Sequence, residues 1–158
     1  MCSPNAQSID YSPCTYGTSS RYHNVVRCDG NVAAEVLDVF QRNKNNPNIT
    51  ALYLWSIDDL TDEILEEILE IVALSASRNV VEISLRFLPK VQKVPEAIQR
   101  FTSIHWFNLY SSDGIQILPS GSMVFSSNYV NEINICYNPN LEAIEPGAFQ
   151  GKSSTVHI

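Results

Sequence analysis

Short apolar runs with alternating side chains recur along this chain, and they limit its possible folds more than any other feature. In "VNEINICYN", Ile133 and Ile135 alternate with polar residues, so a strand turns both to one face. Asn138 and Pro139 then stop the run. Val130, Ile133 and Ile135 have counterparts at the same offsets in three earlier runs: Ile104, Phe107 and Leu109; Val80, Ile83 and Leu85; Ile49, Leu52 and Leu54. Val156 and Ile158 begin a fifth. From Leu52 through Ile83, Phe107 and Ile133 to Val156 the steps are 31, 24, 26 and 23 residues.

One such unit leaves its own apolar edge bare, so the recurrence asks for neighbours that cover one another. The spacing resembles the leucine-rich repeat, L-x-x-L-x-L-x-x-N with more apolar residues on the return. The stretch "NPNLEAIEPGAFQG", with Leu141, Ile144 and Phe149, carries the likeness best. An Asn at position 138 suits it, because its amide can pair with backbone groups that have left the ladder. Ile57, Leu88 and Ser112 stand at that place in the earlier runs, so a continuous Asn ladder is not expected. The resemblance implies an α/β leucine-rich repeat solenoid with a parallel concave sheet and a mixed helix and loop convex side. Residues 1–48 become a cysteine-containing cap with a capping helix. Residues 49–158 become about four repeats and the start of a fifth. The alternative is an ordinary α/β domain with strands at similar intervals.

A length of 158 residues is one domain, and 44% hydrophobic against 17% charged content lets it bury a core. The net charge of −7 argues against nucleic acid or an anionic membrane as the main partner. No apolar run approaches the roughly 20 residues of a membrane span. Met1 is followed at once by Cys2, with no basic region and no apolar core of a signal peptide. The chain stops at Ile158 just as a strand begins, and solenoids need a polar terminal unit. The expectation is a piece, or a short form, of a longer protein.

Cys2, Cys14 and Cys28 cluster in a segment rich in Ser, Asn, Tyr and Pro. It has too little apolar content to pack unaided, and cross-linking is one way to hold it. The alternative is three reduced, buried thiols in a cytosolic protein. A zinc site is not supported, since there is no C-x-x-C pair and His23 is the only imidazole nearby. The pattern resembles the cysteine-rich cap that precedes the first repeat of extracellular leucine-rich repeat proteins. Those caps carry four cysteines, and here Tyr16 takes the third place. The resemblance implies a Cys14–Cys28 disulfide and leaves Cys2 without its partner. Cys136 is expected to be free, or paired with Cys2 or with a missing segment.

Two helices are expected. Over residues 32–43, Val32, Val36, Val39 and Phe40 share a face, with Asn31 as N-cap. Over residues 59–75, Ile64, Ile68, Ile71 and Val72 share a face, Thr61 caps, and the glutamates are a solvated face. A short helix is expected near Pro95. Asn48-Ile49-Thr50 is the only N-x-[ST] sequon, so Asn48 is the candidate glycan site.

Strand alternation sends the residues between the buried ones to the opposite, concave face. These include Tyr53 and Trp55, Glu82 and Arg86, Trp106, Asn108 and Tyr110, and Glu132 and Asn134, with Ala51, Ser84 and Cys136. Both tryptophans are among them. Trp, Tyr and Arg dominate interface energetics, so this set is the candidate protein-binding site. The alternative is that the aromatics only brace the sheet.

His23, His105 and His157 are scattered, and no hydrolase, zinc-protease, P-loop or dinucleotide motif is present. No catalytic residue, metal ligand or cofactor is expected. The cysteine pattern, "LDVFQRN" and "NPNLEAIEPGAFQG" together resemble arthropod secreted leucine-rich repeat proteins, among them non-catalytic subunits of luciferin monooxygenase type. That resemblance implies an extracellular protein-binding module with no enzyme activity of its own. The alternatives are an accessory subunit of an extracellular enzyme complex and the N-terminal part of a receptor or matrix ectodomain.

Overall fold

All five apolar runs become strands of one sheet, joined by two more from the N-terminal segment. In the computed structural model, which describes residues 9–150 and 153–158, β1 (Thr15–Gly17) runs antiparallel to β2 (Val25–Asp29). Parallel strands follow: β3 (Ala51–Trp55), β4 (Glu82–Arg86), β5 (Trp106–Tyr110), β8 (Val130–Asn134) and β11 (Ser153–His157), in the order β1-β2-β3-β4-β5-β8-β11. On the return side β6 (Ile117–Leu118) pairs with β9 (Ala143–Ile144), and β7 (Met123–Val124) with β10 (Phe149–Gln150). Two helices, α1 (Ala33–Arg42) and α2 (Asp62–Ala76), and a short 3-10 helix (Glu96–Arg100) complete the described elements.

The expected leucine-rich repeat solenoid is corrected: this is a small α/β domain with eleven strands in mixed sheets and two helices among its described residues. The returns are the reason. Ten residues of helix follow β2, fifteen follow β3, and five residues of 3-10 helix follow β4. Only two-residue strands follow β5 and β8. The sheet opens with an antiparallel strand. Val26, Leu52, Ile83, Phe107, Ile133 and Val156 do lie opposite one another in register. Parallel pairing of strands buried on one face produces that alignment without a repeated unit.

That row, apart from the exposed Val156, forms the inner layer with Leu54, Leu85 and Leu109, on which α1 and α2 pack. Helix α1 buries Ala33, Val36, Val39 and Phe40, while Val32 is exposed as the N-cap residue. Asn31 is not the cap: its side chain accepts from the Asp29 N–H, and the Ala33 N–H donates to Asp59. Thr61 caps α2 as expected, through the Ile64 N–H. The buried stripe of α2 is wider than expected, running over Leu65, Ile68, Leu69, Val72, Ala73 and Ala76. Ile64 and Ile71 lie at its margin, because α2 is packed between α1 and the 3-10 helix.

The acidic face of α2 is not simply solvated. Asp62 accepts from the N–H groups of Gln92 and Lys93, and Glu66 from that of Glu96. Glu70 pairs with Arg100 at 3.1 Å. One carboxylate per helical turn thus holds the next return in place, satisfying donors that no ladder or helix supplies. Cys14 and Cys28 form a disulfide that ties β2 to the segment before β1. Cys2 lies outside the described residues, and Cys136 is a half-buried free thiol.

Candidate functional site

The sheet face opposite the helices carries every residue of the candidate binding set. Register places them in three rows: Ala51, Glu82, Trp106 and Glu132; Tyr53, Ser84, Asn108 and Asn134; Trp55, Arg86 and Tyr110. The last row ends abruptly. Ser56, Phe87 and Ser111, each just past a strand, have φ of 54°, 55° and 51°, as does Tyr137 at 58° past Cys136. Left-handed conformations are costly for such residues. Here the chain leaves the strand, and the N–H groups of Ser56 and Phe87 donate to Arg86 and Tyr110, the last carbonyls of the next strands, while that of Ser111 donates to the Cys136 carbonyl just past β8.

Along that row, arginines and rings alternate. The Arg27 guanidinium lies 4.3 Å from the centre of the Trp55 ring. Arg86 lies 4.7 Å from Trp55 and 4.8 Å from Tyr110, and Tyr110 stacks on the exposed Tyr137. Tyr53 stacks flat on Trp55 at 5.2 Å. Beneath the column, Ser84 Oγ accepts from both Trp55 Nε1 and Arg86 Nε at 3.1 Å. Ser84 is fully buried, so it acts as an anchor for the two larger groups.

The other end of the face is a buried polar network. Asn108 donates to Glu82, and Asn134 donates to both Asn108 and Glu132, at 2.8–3.0 Å. The N-terminal loop crosses this end. Arg21 reaches 3.8 Å from Glu82 Oε2 and lies over the rings of Trp106 and Tyr22. Tyr22 and Tyr53 both have pKa values pushed up to about 12, by burial first and by the charge of Glu82 second. Among the described residues, Tyr22 Oη and Glu82 Oε2 are buried without a hydrogen-bond partner.

Two halves of the candidate set therefore differ. Glu82, Asn108 and Asn134 are buried, and the half-buried Trp106 lies under Arg21. Trp55, Arg86 and Tyr110 remain partly exposed at the strand ends. Arg21, Tyr22, Arg27 and Asp29 also belong to the face but escape the sequence reading, which assigns residues 1–48 to a cap. Their signal is present: Val26 and Cys28 alternate with Arg27 and Asp29, 26 residues before Leu52 and Leu54.

Asn48 is exposed and helps line a cleft of about 530 Å³ with Asp10, Arg42, Asn43, Asn45 and Asn46. Among the described residues no group of His, Cys, Asp and Glu is arranged to hold a metal, and no helix is long and apolar enough to cross a membrane. No family model, curated protein or solved structure matches the chain.

Proposed function

We propose that this chain is an extracellular protein-binding module without catalytic activity, and that the arginine–aromatic face of its sheet is the contact surface. The column from Arg27 through Trp55 and Arg86 to Tyr110 supports the reading. Its side chains are partly exposed yet held by ring contacts and by Ser84, so little rotamer freedom remains to be lost on binding. Trp, Tyr and Arg supply large contact area with a polar handle. The Cys14–Cys28 disulfide fits an oxidising, extracellular setting. Asn48 is exposed, as a glycan site requires.

A pull-down from native extracellular fluid tests the proposal, comparing the wild-type chain with a Trp55→Ala/Tyr110→Ala variant. A partner recovered by the first and lost by the second is the expected outcome. Equal recovery of every partner removes the face from the account.

A further inference from the structure

The chain has six arginines, and four of them have a carboxylate within 4 Å: Arg21 with Glu82, Arg27 with Asp29, Arg42 with Asp38 and Arg100 with Glu70. Arg78 is exposed. Arg86 alone is immobilised and yet has no acidic partner among the described residues. The Trp55 and Tyr110 rings lie 4.7 and 4.8 Å from its guanidinium carbon, and its Nε–H donates to Ser84. The edge formed by Nη1 and Nη2 has no acceptor among the described residues.

We infer that Arg86 is a preformed receptor for a single carboxylate, an Asp or Glu side chain of the protein partner. The inference rests on the binding role proposed for this face. A guanidinium presents two parallel N–H groups from its Nη edge, which match the two oxygens of a carboxylate. Arginine normally loses much side-chain freedom when it forms such a fork. Here the ring contacts and Ser84 have already removed most of it. The rings flanking the guanidinium exclude water from around the pair, which strengthens it.

Charge selects among anions. The chain carries −7 overall, and Glu132 stands on the strand next to Tyr110. A multiply charged phosphate meets more repulsion there than a singly charged carboxylate, and a nucleic-acid backbone meets still more. Arg27, the other guanidinium of the column, is already neutralised by Asp29. The site therefore takes one negative charge.

The test is a titration of the whole chain with N-acetyl-glutamate amide, with chloride and phosphate as arms at matched ionic strength. It is followed through the Arg86 Nε–H and Trp55 Nε1–H resonances. Arg86→Lys keeps the charge and removes the fork; its thermal midpoint is measured alongside. The expected result is a saturable shift of both resonances with the carboxylate in the wild type, and an affinity weaker by about tenfold or more in Arg86→Lys, read there through Trp55 Nε1–H alone. No saturable shift in the wild type overturns the inference, whatever the variant does. So does an equal affinity in Arg86→Lys, or tighter binding of phosphate. In the pull-down, an Arg86→Lys chain that keeps a partner lost by Trp55→Ala/Tyr110→Ala also overturns it, while leaving the binding face itself standing.

Discussion

Arg86 lies directly opposite Trp55 on the neighbouring strand, its guanidinium carbon 4.7 Å from the centre of the indole ring. The contact is one link of a column in which each charged group has a ring on at least one side, and Ser84 fixes both partners from below. Ser84→Ala removes the shared acceptor. The expected outcome is a more mobile Arg86 side chain, read as a fall in the Nε order parameter by ¹⁵N relaxation, with a stability loss of about 1–2 kcal/mol. Unchanged Arg86 relaxation contradicts the anchoring role.

The pH dependence follows from Tyr22 and Tyr53, whose folded pKa values lie near 12 against an ordinary 10. Below pH 10 both folded and unfolded chains keep these phenolic protons. Between pH 10 and 12 the unfolded chain releases them first, so stability falls as pH rises through that window. Tyrosinate absorbance of the native chain should show Tyr22 and Tyr53 ionising late, alongside Tyr11 and Tyr110, which burial also raises. Glu82→Gln should bring Tyr22 and Tyr53 to lower pH without returning them to 10, because burial is the larger cause. An unchanged titration in Glu82→Gln contradicts the assignment.

Asn138 makes three bonds at the turn after β8. It donates to the carbonyls of Leu109 and Cys136 and accepts from the Ser112 N–H at 2.8 Å. Asn138→Ala takes the acceptor from the Ser112 N–H and a donor from the Leu109 and Cys136 carbonyls, and is expected to cost about 1–3 kcal/mol in urea unfolding. Asn138→Asp keeps only the acceptor and should recover part of that loss. Equal stability of all three chains contradicts the role.

The disulfide constrains a segment that buries few apolar side chains. Its sequence separation of 14 corresponds to about 3 kcal/mol of loop-closure stabilisation. Cys14→Ser/Cys28→Ser should lose about that much in urea unfolding, and peptide mapping without reductant should recover the two cysteines linked. Alkylation of both thiols in the native chain contradicts the bond and the extracellular assignment that leans on it.

Much of the face was legible because alternation is a local property. Once Leu52, Ile83, Phe107 and Ile133 point inward, Tyr53, Trp55, Arg86, Trp106 and Tyr110 must point outward. Asn138 was legible for the same reason, since its chemistry serves the turn beside it. The architecture was not. The strand spacing alone resembled a repeat solenoid, but what lies between strands is decided by tertiary packing, and those returns share no common form. The strand Val25–Asp29 was hidden by the cysteines and polar residues around it. The coverage of Trp106 by Arg21 and Tyr22 depends on how a loop folds back over the sheet, which no pattern of apolar spacing reports. The left-handed residues Ser56, Phe87, Ser111 and Tyr137 carry no glycine to mark them.

Site-specific photo-crosslinking in native extracellular fluid tests the binding face most directly. A photoreactive phenylalanine replaces Tyr110 in one chain and the exposed helix residue Leu74 in a control. The account predicts a crosslinked protein from position 110 that excess wild-type chain suppresses and excess Trp55→Ala/Tyr110→Ala chain does not. The same protein captured equally from position 74, or suppressed equally by both competitors, would contradict it.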